Sequence, residues 1–197
     1  GNTLRGGLRT GIQRVVRALA FHLASREPHA TRLIAYDTAA ESYFALRKAE
    51  TIRTADSLAD VGRAERDYFD FRAFGAGDIF FEPDSSWTEP LNRGALFRLL
   101  KQKGVIVVVL NHDVIPVILP GVCHPNTLVS FSEAIADHLQ YADYALATSG
   151  GVKRDLEETS RRFLGRLMTS RLITLGADFE PHWCLVLALD TRLAAIT

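Results

Sequence analysis

The chain has 197 residues, enough for one domain with a sizeable core, and its 23 Lys and Arg balance its 23 Asp and Glu. This balance argues against an electrostatic footprint for nucleic acid or an anionic membrane surface. The longest apolar runs, such as residues 105–110, are far shorter than the roughly 18 residues of a membrane-spanning helix. Cys123 and Cys184 form no CxxC pair, which argues against a disulfide framework or a zinc knuckle.

The N-terminal residues lead into an amphipathic helix. Residues 1–11 are polar and glycine-rich and show no signal-peptide pattern, so we expect a cytoplasmic protein. Thr10 and Gln13 match a capping box, and the helix is predicted to end near Ser25, before Pro28. Its apolar residues recur at helical spacing: Ile12, Val15, Val16, Leu19 and Leu23.

The middle of the chain alternates strands with one helix. Residues 31–36 and 78–82 predict strands, and residues 91–103 predict a helix that Gly104 stops. The predicted buried side of that helix holds Leu96, Leu99 and Leu100. Residues 39–72 are ambiguous, with helical patches and a short strand near residues 51–54.

The most informative segment is GVIVVVLNHDVIP, residues 104–116. Its six consecutive apolar residues, mostly β-branched, predict a strand buried on both faces, as in a parallel sheet. His112 and Asp113 follow directly, and Pro116 ends the run. In open α/β sheets, ligands bind beyond the carboxyl ends of the strands, at a topological switch point. The pair is therefore predicted to face a ligand-binding crevice.

After this segment the sequence predicts helices at residues 128–140 and 151–164 and strands at residues 143–148 and 171–175. Strands that alternate with helices of ten or more residues predict βα units and a parallel sheet. We therefore expect an α/β fold, a single Rossmann-like domain over residues 1–179 with a mostly parallel sheet flanked by helices. The apolar residues 180–197 predict the start of an interdomain linker or helix.

Glycines surround the start of the first helix. Gly6, Gly7 and Gly11 would let a phosphate approach the backbone, where a helix N-terminus offers free N–H groups. Arg14, one turn further, would add a charged donor to a diphosphate. The spacing is not GxGxxG, and by itself it favours the alternative, a flexible terminus followed by an ordinary capped helix.

His112 and Asp113 allow two interpretations. In the first they form a hydrogen-bonding or acid–base pair at the crevice, since the pKa of histidine lies close to working pH. In the second a backbone carbonyl satisfies His112, and Asp113 caps the next turn. Their position at a strand exit favours the functional interpretation by roughly two to one.

A metal site is the weaker interpretation of these residues. His112, Asp113, His124 and His138 are available, but no two histidines stand four residues apart on one predicted helix. A metal-dependent HD phosphohydrolase carries its His-Asp doublet in a helical bundle, whereas this doublet follows a strand. We therefore expect no metal.

Two other strand ends carry polar residues. Ser149, before two glycines, would serve as a nucleophile or a phosphate-loop serine, but GxSxG is absent and an N-cap role is favoured. Residues 84–87, DSSW, either face a sugar or form a turn with a packed tryptophan. The sequence does not decide between these two alternatives.

Five pieces of this sequence, in order, resemble the N-terminal half of a bacterial GT-B glycosyltransferase of retaining family four. They are TGIQRVV at 10–16, DIFFEPDSSW at 78–87, residues 103–120 around HDVIP, residues 142–149, and LGADF at 175–179. The resemblance covers nearly the whole chain from Arg9 to Phe179.

The resemblance implies the acceptor-side half of an enzyme that moves a sugar from a nucleotide-sugar to a glycan or lipid-linked acceptor, in cell-surface polysaccharide synthesis. The family is metal-independent, so the nucleotide-sugar is a substrate and no cofactor is expected. Its glycine-rich loop approaches the donor diphosphate, which implies Gly7, Gly11 and Arg14 here. Its histidine after the mid-sheet strand faces the sugar and acceptor, which implies His112 with Asp113 beside it. The acceptor would bring the protein to the inner face of the membrane.

The chain departs from the family in its donor half. The family's C-terminal domain carries two glutamates separated by seven residues, and no glutamate pair here has that spacing. Four residues precede the glycine-rich loop, and residues 183–196 are apolar enough to need a partner surface, so both ends are expected to be incomplete. We therefore expect a donor-binding partner domain or subunit, and little activity from this chain alone.

Two other classes of function stay open. The first is a non-catalytic interaction module that docks on a partner through residues 183–196. The second is a small α/β hydrolase or phosphatase that uses His112, Asp113 and Ser149, which requires the ends of two strands to converge within hydrogen-bond reach.

Overall fold

The structure, a computed structural model, describes residues 11–49, 51–54, 61–62, 64, 66–84, 86–88 and 90–176. It contains a four-stranded parallel sheet with helices packed against it and a smaller antiparallel sheet of three strands. The predicted fold class, α/β with a mostly parallel sheet flanked by helices, is confirmed. The predicted N-cap Thr10 and the segment 180–197 lie outside the described residues.

The first helix, α1, spans Gly11–Arg26, close to its predicted bounds. Val16 and Leu19 are buried, as the apolar spacing predicted. Arg17 is also buried, and its Nη1 donates a hydrogen bond to the carbonyl oxygen of Ile52 at 2.5 Å. This bond ties α1 to the segment that joins two strands of the small sheet.

The small sheet has the order β1-β2-β3, with antiparallel pairing throughout. Its strands are β1 (Ile34–Asp37), β2 (Ser42–Leu46) and β3 (Arg66–Tyr68). Phe44 at its centre is fully buried, and Arg66 Nη1 lies 2.9 Å from Asp37 Oδ2. The strand predicted at residues 31–36 is therefore β1, and it belongs to this sheet rather than to the parallel one.

Residues 51–54 form a helical turn, α2 (Thr51–Thr54), and the predicted short strand there is wrong. The β-branched residues in this segment favour a strand locally. Ile52 is nevertheless buried in one cluster with Phe44 and Val61, and its carbonyl oxygen accepts the hydrogen bond from Arg17. These tertiary contacts override the local preference.

The parallel sheet has the order β4-β5-β6-β7, which follows the chain. Its strands are β4 (Ile79–Glu82), β5 (Ile106–Asn111), β6 (Tyr144–Ala147) and β7 (Ser170–Leu172). Because this order never reverses, the part of the sheet that the structure describes contains no topological switch point. Within the described sheet, His112 therefore follows a central strand, β5, that is not at a switch point.

Four helices lie along this half of the chain: α3 (Arg93–Gln102), α4 (Ile115–Ile118), α5 (Pro125–Tyr141) and α6 (Gly150–Leu164). Short 3-10 turns lie at Phe71–Ala73, Ser86–Thr88 and Pro120–Val122. Of the helices that the structure describes, none combines the length and apolarity that crossing a membrane requires.

One face of the parallel sheet forms the main core. Val107 and Val109 of β5 are fully buried there, in one cluster with Phe97 of α3, Ile135 of α5 and Leu156 of α6. The three long helices therefore pack on the same side of the sheet. This arrangement fits strands that follow one another in order, because successive right-handed crossovers place their helices on one face.

The other face of β5 is less covered than the sequence predicts. Ile106 and Val108 point away from the main core and are only half-buried. The prediction of a strand buried on both faces is correct for Leu110, which is 3% exposed, but wrong for these two residues. The reason is that α3, α5 and α6 all lie on the opposite face.

The buried side of α3 follows a spacing of four and three residues through Arg93, Phe97 and Leu100. Leu96 packs partly against the core, whereas Leu99 is 40% exposed, so its predicted burial is wrong. The helix stops as predicted at Gly104, whose φ is +75° and where a Cβ would lie 3.0 Å from the Ala76 Cβ.

Two adjacent leucines in α3 test this assignment. Leu100 is fully buried, so Leu100→Ala is expected to lower the free energy of unfolding by about 2–5 kcal/mol through lost burial and a cavity. The matched control is Leu99→Ala, which should cost less than about 1 kcal/mol because that side chain is exposed. Urea unfolding of both variants measures the difference, and equal losses would contradict the orientation of α3.

Candidate functional site

The candidate site lies at the carboxyl ends of β4 and β5. The segments that follow these strands enclose a small cavity of about 50 Å³, which we call the inner pocket. Its lining includes Asp84 and Trp87 after β4, Asn111, His112 and Asp113 at the end of β5, and Ile12 in the first turn of α1. Its wall on the helix side comes from Phe131, Ala134, Ile135 and His138 of α5. The structure thus brings three sequence segments predicted to carry function to one place.

His112 is half-buried in this pocket. Its Nε2 lies 3.4 Å from the carbonyl oxygen of Pro83, and its own carbonyl oxygen accepts a hydrogen bond from Thr148 Oγ1 at 3.2 Å. Burial lowers the pKa of His112, although the bond to Pro83 and the charges of Asp113 and Asp84 act against this shift. When Nε2 carries the proton toward Pro83, the neutral ring keeps Nδ1 as an acceptor.

Asp113 precedes Val114, the N-cap of the short helix α4, and contacts the first helical residue. Its Oδ1 accepts a hydrogen bond from the backbone N–H of Ile115 at 3.1 Å. Both contacts of the structural interpretation are therefore present, since the Pro83 carbonyl lies against His112. Both residues also line the inner pocket, so these contacts fix their side chains at its wall rather than remove them from it.

The residues predicted for the donor diphosphate are only partly described. Gly7 lies outside the described residues, whereas Gly11 begins α1 and is exposed, and a Cβ at this position would meet no described atom within 4 Å. Arg14 is also exposed. In this turn it is Ile12 that lines the inner pocket, so α1 begins beside the site, but neither Gly11 nor Arg14 belongs to the described lining.

Ser149 is the N-cap of α6. Its Oγ accepts a hydrogen bond from the backbone N–H of Val152 at 3.2 Å, which confirms the favoured N-cap interpretation. Within the described ranges, no hydrogen bond joins Ser149 to His112. The neighbouring Thr148 instead links the ends of β5 and β6 through its bond to His112. The Ser-His arrangement that a hydrolase needs is therefore not formed.

Asp84 and Trp87 of the DSSW segment lie at the inner pocket, and whether they face a sugar there stays a prediction. They line the inner pocket, and the Trp87 ring also packs edge-on against Phe131 with a centroid distance of 5.8 Å. Ser85 lies outside the described residues. The segment therefore forms the turn with a packed tryptophan, and this turn forms one wall of the inner pocket.

A buried ion pair that the sequence analysis missed lies behind the pocket. Arg93 Nε is 3.2 Å from Glu82 Oε1 and 3.1 Å from Oε2, and Nη2 is 3.2 Å from Oε1. The two side chains are 5% and 11% exposed. The pair joins the end of β4 to the start of α3.

His138 extends this pair to β5. Its Nε2 lies 3.5 Å from Glu82 Oε2, and its Nδ1 lies 3.1 Å from Asn111 Oδ1. Asn111 is 4% exposed, and its Nδ2 is buried with no hydrogen-bond partner in the described part of the chain. The four residues form a chain of contacts, here called the buried polar chain, that ends at the inner pocket.

A wider groove adjoins the inner pocket. It has a volume of about 840 Å³ and runs between residues 87–88 and 90–93 on one side and residues 126–137 of α5 on the other; we call it the outer groove. Glu133 and Asp137 lie along it. Burial raises the pKa of Asp137, against the charge of Arg93 and the N–H of Gly94.

Gly94 fixes how closely α3 approaches α5 beside this groove. A Cβ at this position would lie 2.6 Å from Asp137 Oδ1, which is closer than real carbon atoms come. The absence of a side chain therefore allows the Asp137 carboxylate to sit against the start of α3, where it accepts a hydrogen bond from the Gly94 N–H.

Of the histidines considered as metal ligands, His112 and His138 both line the inner pocket, whereas His124 is not part of its described lining. His138 belongs to the buried polar chain, and His124 is the N-cap of α5 with its Nδ1 accepting from the Asn126 N–H at 3.3 Å. Over the residues that the structure describes, no three His, Cys, Asp or Glu side chains group as metal ligands would.

One sequence signal could have revealed the buried polar chain. Glu82 and Asn111 are the last residues of two apolar strands, and the ends of adjacent parallel strands meet at one edge of the sheet. Arg93 and His138 carry no comparable signal, because helical periodicity alone does not show which polar residue faces the core.

Comparisons with models of protein families, with curated proteins and with solved structures give no match to this chain. The resemblance to glycosyltransferases therefore stays a prediction, and the site must be argued from its own chemistry.

Removing one partner of the buried ion pair tests its place in the fold. Arg93→Met would leave Glu82 with its charge buried, and it is expected to lower the free energy of unfolding by about 3–5 kcal/mol. The matched control is Arg72→Met, because Arg72 pairs with Asp70 in solvent and its removal should change the free energy of unfolding little. Chemical denaturation compares the two, and similar losses would refute this role of Arg93.

The lowered pKa of His112 predicts how stability depends on pH. The folded protein binds fewer protons at this site than the unfolded chain, so the free energy of unfolding falls as the pH drops through the ordinary value of 6.5. His112→Gln should therefore lose less stability than the wild type between about pH 7.5 and pH 5. The exposed His29→Gln is the control and should keep the wild-type slope. A wild-type slope in His112→Gln would contradict the assignment.

Proposed function

We propose that this chain is the acceptor-side domain of a retaining glycosyltransferase, which moves a sugar from a nucleotide-sugar to a glycan or lipid-linked acceptor in cell-surface polysaccharide synthesis. The observation that carries the proposal is the composition of the inner pocket. It combines the Trp87 ring with the carboxylates of Asp84 and Asp113, the His112 ring and the Asn111 amide. Sugars need both an apolar face and many hydrogen-bonding partners, and this lining offers both.

His112 suits a positioning role in such a reaction. Its lowered pKa favours the neutral ring, whose free nitrogen accepts a hydrogen bond from a sugar hydroxyl. A hydroxyl held this way is oriented for attack, and small displacements of reacting groups cost large factors in rate. Asp113 would hold the neighbouring part of the ligand from the same wall.

The donor diphosphate would approach from the N-terminal end of α1. A helix N-terminus offers free N–H groups and a partial positive charge to a phosphate. Gly11 leaves the backbone open there, and Arg14 stands one turn further as an exposed cation. The leaving diphosphate gains negative charge in the transition state, so donors fixed near it lower the barrier.

The proposal includes a second, donor-binding domain or subunit. The two spaced glutamates of the resembling family do not occur in this sequence, so the residues that hold the donor sugar would come from elsewhere. Peripheral contact with the membrane, through a lipid-linked acceptor, belongs to the same proposal.

A second candidate, an interaction module, is favoured by one observation. Large apolar side chains that are 40–72% exposed follow one another from α4 into α5: Ile115, Ile118, Leu119, Val122 and Val129. Several large exposed apolar side chains within one short segment are more typical of a binding surface than a single exposed residue is. In this case the inner pocket would have no role in turnover.

Substitution of His112 separates the two candidates. In an enzyme that contains this chain with its donor-binding half, His112→Ala is expected to reduce kcat by about 100-fold, because an orienting hydrogen bond is lost. Transfer from a panel of radiolabelled UDP- and GDP-sugars measures the effect, and His29→Ala at an exposed site is the control. Unchanged turnover in His112→Ala would favour the interaction module. Full transfer by the isolated chain would refute the need for a donor-binding partner.

A further inference from the structure

Asn111 is the point at which the buried polar chain meets the inner pocket. It ends β5, it is 4% exposed, and it contributes to the pocket wall. Its Oδ1 lies 3.1 Å from His138 Nδ1, and the other nitrogen of that ring faces Glu82. When His138 Nδ1 carries the proton, it donates to Asn111 Oδ1, so this oxygen is occupied and the orientation of the amide is set by the ring.

The other heteroatom, Nδ2, is left without a partner. It is buried and makes no hydrogen bond within the described residues. A buried donor without an acceptor destabilises the folded protein, and such groups are rare unless a ligand or water completes them. Backbone contacts also hold the residue in place, since its carbonyl oxygen accepts from the Thr148 N–H at 3.3 Å.

The sizes of the two cavities indicate how a ligand would reach this donor. Ligand sites commonly have volumes of roughly 300–1,000 Å³. The outer groove, at about 840 Å³, lies in that range, whereas the inner pocket, at about 50 Å³, holds only a small group. Trp87, Arg93 and Ala134 line both cavities, so a ligand in the groove can extend one substituent past Trp87 into the pocket.

The charges around the two cavities select a neutral ligand. Asp84 and Asp113 line the inner pocket, and Glu133 and Asp137 line the outer groove. Arg93, which lines both cavities, is already paired with Glu82. An anion such as phosphate would therefore meet mostly negative charge, whereas a hydroxyl can accept from Asn111 Nδ2 and donate to a carboxylate.

We propose that Asn111 binds the acceptor sugar: its Nδ2 donates a hydrogen bond to a hydroxyl or hydroxymethyl oxygen that enters the inner pocket, while the sugar ring lies in the outer groove against Trp87. This inference rests on the proposed function, because it takes the ligand of the site to be a sugar. His138 and Glu82 act through Asn111 as positioning residues, because they orient its amide.

Side-chain amide signals in a nitrogen–proton correlation spectrum of the full chain test the contact directly. The sequence holds four asparagines and three glutamines, so few amide pairs must be assigned. Glucose, mannose, galactose and N-acetylglucosamine are each titrated to about 100 mM, because single sugars bind weakly. We expect the Asn111 pair to shift in a saturable way with at least one sugar and to stay unmoved with inorganic phosphate.

A variant then tests the donor. Asn111→Asp keeps an oxygen toward His138 but removes the donor, and it is expected to weaken binding of the responding sugar by about tenfold. The matched control is Gln102→Glu, the same change from amide to carboxylate at an exposed position at the end of α3 that precedes β5. It should leave the affinity within about twofold of wild type. Thermal unfolding checks that both variants fold. If Asn111→Asp does not fold, the titration of the wild type still tests the proposal.

The outcomes separate this inference from the proposed function. If the Asn111 pair stays unmoved with every sugar, or if Asn111→Asp binds as tightly as wild type, the inference is wrong, even where the complete enzyme transfers sugar. If the Asn111 pair responds to a sugar but the complete enzyme transfers none, Asn111 is a sugar-binding residue and the proposed transferase activity is wrong.

Discussion

The buried pair of Glu82 and Arg93 is the constraint on which the site depends. A carboxylate at the end of a buried strand is costly unless its charge is matched, and the guanidinium at the start of α3 matches it at 3.1–3.2 Å. The pair therefore fixes how α3 begins relative to β4. His138 of α5 contacts the same carboxylate, and Asn111 of β5 contacts the other side of the His138 ring.

The apolar core and the buried polar chain determine different features of the site. Val107 and Val109 hold β5 under three helices, which determines where the strand ends but not how its last side chains are oriented. Polar contacts set that orientation: the Pro83 carbonyl for His112, and His138 for Asn111. Directional hydrogen bonds specify a geometry that non-directional apolar burial leaves open.

The sequence predicted most of the parallel half, because strong apolar periodicity and a glycine stop determine α3, β5 and their neighbours. It failed at residues 51–54 and at Leu99, where tertiary packing decides which residues are buried. In the site it identified His112 and Asp113 from their place after a strand. It missed Arg93 and His138, because their roles come from contacts between elements that are far apart in the chain.

Gly94 gives the site a vulnerability at a position that no ligand would touch. A Cβ there would lie 2.6 Å from Asp137 Oδ1, so any larger residue would make the carboxylate rotate away from the start of α3. The rotation would cost Asp137 its hydrogen bond from the Gly94 N–H, and it would move a negative charge along the outer groove. A single methyl group at Gly94 would therefore change the electrostatics of the groove without changing which residues line it.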